Sequence, residues 1–506
     1  MLGIALDRSL PRSLGSQLCD ALRALVLSGT LGGGARLPST RELARELGIS
    51  RTLVLEAFEQ LEAEGYIEGR KGAGSFVVEG AAPREAPPAA TRGQTPAGRL
   101  WGQTPAGAAA QASRLGGAAP VDFRPGVPAL DLFPRETWAR ELAAAARRLP
   151  NSSIGYGEGA GFPALREEAA AYLFRSRGIR VEPEEVFITS GISQALGIVS
   201  RAFLTRGERD SRASLRRKGF LKAKAILENP CQPALSGLLS REGVEIVAAR
   251  VEAEGIDPAL LPRDGSAVAF VTPSHQYPLG PVLSAPRRAA LVDWARATDS
   301  IVFEDDFDGE YRYGGAPLQP LRELDSSRVV YAGSFSKAFA PALRLGYALV
   351  PPHLADSWRA CRELMDIHSC VFTQAAMASC LASGAFERHV RRMKRVYASR
   401  RGAILDALAS AFGAGVEVMG ESAGLHLALR FGLPRFKALR FDEATVSRVA
   451  SLGALVYPAA RHAFAPFPGI ERILLLGYGN LEGEAIGQGV SALAAGVELS
   501  IKKRSG

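Results

Sequence analysis

The sequence contains no apolar run near the ~20 residues that a membrane-spanning helix requires. Its opening, MLGIALDRSLPRSLG, lacks the continuous apolar core of a secretory signal. Cysteine is scarce. Cys19, Cys231, Cys361, Cys370 and Cys380 are odd in number and show no CxxC spacing, which excludes an obvious disulfide framework and an obvious zinc site. No metal is therefore expected, the thiols are expected to be buried, and the protein is expected to be cytoplasmic.

Composition is otherwise that of a soluble globular protein, 47% hydrophobic and 22% charged. A chain of 506 residues exceeds what one core normally serves, so more than one domain is expected. The net charge of +9 invites a nucleic-acid reading, but its location does not support one. Residues 1–80 hold nine bases against ten acids, whereas 206–224 hold eight bases against two acids. Any case for DNA must rest on motifs.

Residues 80–120 are almost entirely Ala, Gly, Pro, Thr and Gln, with GQTPAG occurring twice. Such a segment buries too little apolar surface to offset its ordering entropy, so it reads as a flexible linker. It separates a head, 8–79, from a body, 121–500.

In the head, ARLPSTRELARELG predicts a helix capped by Ser39, with Glu42 completing a capping box and Gly48 ending it. Ser50 caps a second helix whose inward stripe is read as Leu53, Ala57, Phe58 and Leu61. Two short helices joined by a tight Gly-containing turn form a helix-turn-helix, whose second helix offers its N-terminal residues to DNA. Here those are Ser50, Arg51 and Thr52. YIEGRKGAGSFVV then reads as two strands around a basic, Gly-rich wing, Gly69–Gly74.

The body alternates helical segments (Ala164–Arg177, Gln194–Leu204) with β-rich runs: EVFITS, AKAILEN, SAVAFVT, SIVFEDD, RVVYAGS and YALV. That alternation predicts an α/β domain with a largely parallel sheet, its ligand site at the carboxyl ends of the strands. AGSFSKAFAPALRLGY places Lys337 among hydroxyls with Arg344 seven residues on. This suits a phosphorylated aldehyde: Lys337 to condense with it, and Ser334, Ser336 and Arg344 to hold its dianion. Asp305, ending the apolar strand SIVFEDD, is the carboxylate that a pyridinium nitrogen would need. ITSGISQAL is a strand, a turn and a helix start whose amides would meet the phosphate. VTPSHQYPLGPVLS, which includes Tyr277, would run over the ring.

The head resembles the GntR family's N-terminal domain in R-L-P-S-x-R and A-E-G-Y, which implies DNA contacts from Arg41, Ser50, Arg51, Thr52, Arg70 and Lys71. Across 121–500 the ordered motifs resemble the fold-type I, pyridoxal-phosphate-dependent aminotransferases. Together, YGEGAGFPALREEAAAYL, TPSHQYPLG, EDDFDGEYRY and SKAFAPALRLGY resemble the MocR subfamily, a winged helix-turn-helix fused to an aminotransferase-like body. The resemblance implies pyridoxal 5'-phosphate on Lys337, Asp305 at the ring nitrogen, and Ser190, Gly191, Ser334, Ser336 and Arg344 around the phosphate. It also implies that Tyr156 reaches a partner's cofactor in a homodimer, with double-stranded DNA and an amine or amino-acid effector as partners.

The pattern is broken in several places. Gly32–Gly34 replaces a proline before R-L-P-S. Phe307 stands where the subfamily has Tyr, and Gln232 in ENPCQ stands where E-x-P-G-Y has its aromatic residue. Leu475 falls where aminotransferases carry a carboxylate-binding Arg, with Arg472 nearby in sequence. The basic stretch 206–224 reads as an inserted exposed loop. The retained lysine, aspartate and arginine favour a regulator that senses an amine, an amino acid or the cofactor itself. The alternatives are an active aminotransferase with a DNA-binding head, and a cofactor-free body that only dimerises the head.

Overall fold

The computed structural model describes residues 2–9, 13–70, 72–79, 121–204, 224–314 and 318–505. The chain divides into two compact units, with the boundary between residues 115 and 116. The expected linker, Lys71 of the wing, and all of the basic stretch except Lys224 lie outside the described residues.

The head contains helices α1 (Leu14–Leu27), α2 (Thr40–Leu47) and α3 (Arg51–Ala63), followed by the antiparallel strands β1 (Ile67–Arg70) and β2 (Gly74–Val77). The capping box is complete: Ser39 Oγ accepts from Glu42 N at 3.2 Å, and Glu42 Oε2 accepts from Ser39 N at 2.9 Å. Gly48 ends α2 at φ 63°, a left-handed conformation that costs a residue with a Cβ. Ser50 Oγ then caps α3 by accepting from Leu53 N at 3.3 Å. Motif reading did not single out α1, yet its Leu18, Cys19, Leu22 and Val26 form much of the head's core, with Leu43, Val54, Phe58 and Leu61.

One expectation shifts by a residue. The buried stripe of α3 is Val54, Ala57, Phe58 and Leu61, a clean i, i+3, i+4, i+7 series, while Leu53 is only half-buried. Replacing Ser39 with alanine should remove one cap bond and destabilise the head by about 1 kcal/mol, read as a lower urea midpoint with helix content retained.

In the body, seven strands form one sheet in the order β4-β10-β9-β8-β7-β5-β6. They are β4 (Val186–Thr189), β5 (Lys224–Asn229), β6 (Glu245–Arg250), β7 (Ala267–Val271), β8 (Ile301–Asp306), β9 (Val329–Ser334) and β10 (Gly346–Leu349). A short strand, β3 (Val121–Asp122), precedes them and pairs in parallel with β13 (Ala454–Leu455). The sheet is parallel except for β10, which runs antiparallel to both β4 and β9. Strands such as β7 are buried at every position, as expected when helices cover both faces. A second sheet, β11 (Glu417–Met419), β12 (His426–Arg430), β14 (Tyr457–Pro458) and β15 (Ile473–Gly477), is antiparallel. The predicted helices occur at Pro163–Arg177 and, from Ile192, through Val199 into a wider turn to Leu204.

Two smaller expectations are corrected. Lys224, shared by the exposed-loop stretch and the run AKAILEN, belongs to the strand: it opens β5, where its ammonium pairs with Asp264 at 2.8 Å. Not all thiols are buried: Cys361 is half-buried and Cys370 is exposed, because Cys370 sits outside the helix Val371–Ala382 as its N-cap. No helix among the described residues is long and apolar enough to cross a membrane.

Candidate functional site

The parallel strands deliver their carboxyl ends to one edge of the sheet. β10 runs the other way, so its beginning, and Arg344 just before it, arrive at that same edge. A cavity of about 320 Å³ opens there, lined among others by Gly126, Gly191, Glu228, Gln232, Tyr277, Asp305, Phe307, Ser334, Ser336, Lys337 and Arg344. Ten of the cofactor-site candidates read from the sequence are therefore either in its wall or, as with Ser190, beside it.

Lys337 lies in the helical turn Phe335–Ala338 directly after β9. Its Nζ donates to the Gly126 carbonyl at 2.6 Å. Burial pulls its pKa below the ordinary lysine value, partly offset by Asp308 and Asp305. Asp305 is pushed up to about 8 by burial, with Asp308 adding to the shift and Lys337 opposing it. Its Oδ1 is buried with no hydrogen-bond partner among the described residues, an uncommon and costly condition for a carboxylate. Glu228 is likewise raised, to about 7, by burial. Its Oε2 accepts from Thr272 N (3.1 Å), Thr272 Oγ1 (2.6 Å) and Gln276 Nε2 (3.2 Å).

At the other end, Ser334 Oγ accepts from Ser336 N at 3.1 Å. Gly191, at φ 96°, begins the helix Ile192–Val199. Arg344 holds a left-handed φ of 50°, a strain of about 1 kcal/mol or more for a non-glycine residue. That conformation lets its Nη2 donate to the Ser190 carbonyl at 2.6 Å. A Cβ at Gly191 would lie a tight 3.2 Å from the same nitrogen, and the φ of 96° is itself one that favours glycine. Ser190 contributes its carbonyl here, while its hydroxyl meets Ser369 Oγ at 3.0 Å.

Phe307 and Tyr277 stand edge to face at 5.7 Å between ring centroids. Burial raises the Tyr277 phenol well above its ordinary pKa, so it stays a neutral hydroxyl. Gln232 is exposed at the cavity's edge, and Tyr156 is 90% exposed and outside the cavity lining. Leu475 is fully buried in the core cluster under the sheet, and Arg472 does not line the cavity.

Sequence reasoning missed Gly126, Glu228, Thr272 and the Asp308–His275 pair, in which His275 Nδ1 lies 2.8 Å from Asp308 Oδ2. Asp308 was visible as a third acid in EDDFD, and Glu228 as the first residue of ENPCQ. Gly126 carried no local signal, being 211 residues from Lys337.

The raised carboxyls predict a pH effect. Unfolded, Asp305 and Glu228 release protons near their ordinary values of 3.8 and 4.5; folded, they hold them until about 8 and about 7. Between those limits the folded state binds more protons, so stability should fall as pH rises and level off above about 8. Melting temperatures across that range should show the decline, and an Asp305→Asn variant should flatten it.

In the head, Arg41, Ser50, Arg51 and Thr52 are all exposed at or near the start of α2 and α3. Arg51 Nε donates to Thr40 Oγ1 at 3.3 Å, tying the second helix to the first. Arg70 is exposed on the wing, paired with Glu68 at 2.7 Å and stacked over Phe76.

A winged helix-turn-helix and a body of fold-type I aminotransferase architecture define the class: a DNA-binding head fused to an aminotransferase-like domain. Residues 14–77 match the family of bacterial regulatory proteins, gntR family. Residues 131–209 and 224–448 match aminotransferase class I and II, the gap falling on the basic stretch. The chain is 32% identical to the probable rhizopine catabolism regulatory protein MocR of Rhizobium meliloti, over 97% of this chain and 95% of that one. It is 31% identical to the pyridoxine biosynthesis transcriptional regulator PdxR of Corynebacterium glutamicum, over 98% and 99%. Among solved structures it is similar to the α-aminoadipate aminotransferase LysN of Thermus thermophilus, complexed with N-(5'-phosphopyridoxyl)-L-leucine. That match has 27% identity and a TM-score of 0.66, covering 76% of this chain and 93% of that one. The chain belongs to the MocR-type GntR family of helix-turn-helix transcription regulators.

Proposed function

We propose that this regulator binds double-stranded DNA through its head, holds pyridoxal 5'-phosphate in its body, and changes its DNA binding when an amine effector enters the body's cavity. The observation that carries the cofactor reading is Asp305 Oδ1, buried without a hydrogen-bond partner among the described residues in a cavity shared with Lys337. A buried carboxylate without a partner is costly, and a protonated ring nitrogen supplies the partner. Lys337, Asp305, Ser334, Ser336, Gly191 and Arg344 would hold the cofactor, which supplies an aldehyde reactive toward amines.

The chain's own groups have distinct tasks. Burial increases the neutral, nucleophilic fraction of Lys337, and the Gly126 carbonyl orients its Nζ. The Arg344 guanidinium and the amides opening the helix at Ile192 form an anion cradle. Phe307 and Tyr277 wall the ring space; Phe307 offers no hydroxyl there, which favours sensing over efficient turnover. The homodimer implied by the family, with Tyr156 directed to a neighbouring subunit, and a cytoplasmic location complete the reading.

The cofactor reading is tested by a visible absorbance band on adding pyridoxal 5'-phosphate that borohydride converts to a stable adduct; no band overturns it. For the head, Arg51→Ala should weaken binding to DNA from upstream of the gene by about tenfold or more, with the fold retained. Gel-shift titration at fixed salt measures this, and unchanged affinity would remove Arg51 from the interface.

A further inference from the structure

We infer that the effector is a primary amine without a carboxylate, whose far end donates hydrogen bonds, as in an amino alcohol or a diamine. The inference rests on the cofactor reading above and names the ligand class of that same cavity.

Charge in the cavity decides the ligand class. Among the described residues lining the cavity, the cations are Lys337 and Arg344. Lys337 is committed to the cofactor, and Arg344 is held at the phosphate end by the Ser190 carbonyl. Of the acids in the same lining, Asp305 is likewise committed, to the ring nitrogen, and Glu228 remains uncommitted, with Asp308 near enough to shift both Asp305 and Lys337. A ligand carboxylate entering here would sit beside Glu228 with no cation assigned to it: it would be buried unpaired, and it would push the Glu228 proton loss still higher, both of which disfavour binding.

The neighbouring histidines do not supply the missing charge. His426 and His462 pack against Tyr277 at 5.3 and 5.4 Å between ring centroids. Burial keeps both neutral, His462 being pulled down to about 4. Nor does the second sheet: Leu475 is buried between Ala428 and Tyr457 on β15, and Arg472 stays outside the cavity wall.

What the wall does offer is acceptors. All three hydrogen bonds to Glu228 fall on Oε2, leaving Oε1 without one among the described residues. Gln232, Ser193 and Thr272 add neutral hydrogen-bonding groups to the same lining. A hydroxyl or second ammonium on the effector would meet these groups, and its reactive amine would be directed toward Lys337's end of the cavity.

The test uses the full chain loaded with pyridoxal 5'-phosphate, loading being confirmed by the visible band. 4-Amino-1-butanol, 1,4-diaminobutane and 4-aminobutyrate, matched in length, are titrated while absorbance is followed. The two carboxylate-free amines are expected to act at concentrations at least about tenfold lower than 4-aminobutyrate. Gln232→Arg, a change at an exposed position on the rim, is expected to shift preference toward 4-aminobutyrate. Glu228→Gln is expected to reduce the response to the diamine more than that to the amino alcohol, and the rim variant keeps the test decisive should Glu228→Gln not fold. Binding of 4-aminobutyrate as tight as that of both other amines overturns the inference while leaving the cofactor reading intact. Absence of the band overturns both.

Discussion

Replacing Lys337 with alanine is expected to abolish the borohydride-trapped adduct completely and to uncouple DNA binding from any amine, while leaving basal DNA binding in place. Among the described residues of the cavity lining, the lysine's neutral amine is the only group able to condense with an aldehyde to an imine. Its side chain is half-buried and donates to the Gly126 carbonyl, so removing it costs little packing. Because the head has its own core of Leu18, Leu22, Leu43, Val54, Phe58 and Leu61, it should still fold and bind. Absorbance with and without borohydride, together with gel shifts across an amine titration, measures both halves. A Lys337→Ala protein that still forms a trapped adduct would place the reactive amine elsewhere.

Asp305→Asn should weaken the cofactor by roughly a hundredfold, the order expected for removing one partner of a buried charged pair at about 3 kcal/mol. Asparagine keeps the shape but cannot balance a protonated ring nitrogen. The cofactor-free variant should lose no stability at neutral pH, because the carboxyl it removes is one that burial pushes up to about 8. Weaker cofactor with an unchanged or higher melting temperature is a signature that simple misfolding does not produce. Equilibrium titration of the visible band, paired with thermal melts of the unloaded protein, would show it; unchanged affinity would mean that Asp305 does not meet the ring.

Much of this was legible locally. The Ser39–Glu42 box, the Gly48 stop and the Ser50 cap are written within spans of a few residues, and short-range hydrogen bonding suffices to form them. The runs AKAILEN, SAVAFVT, SIVFEDD and RVVYAGS each became a strand because their apolar, β-branched character suits a sheet covered on both faces. α1 escaped notice because its sequence carries no chemical motif, only an apolar stripe. Leu53 fits the inward stripe of a two-helix unit, but α1 also packs on α3, and the face buried is that of Val54, Ala57, Phe58 and Leu61.

The sequence by itself determined the two-part architecture, from the composition of 80–120, the strand that carries Asp305, from its apolar run, and the importance of Lys337, from the hydroxyls and arginine around it, since each is written within a short window. Only the tertiary structure decided the company those residues keep: Gly126 at Lys337, Ser190 under Arg344, Thr272 on Glu228, and Asp308 on His275. The reason lies in the strand order, which seats β5 between β6 and β7 and turns β10 against its neighbours. Contacts across such a sheet join positions tens to hundreds of residues apart, and they depend on packing the whole domain rather than on any local preference of the chain.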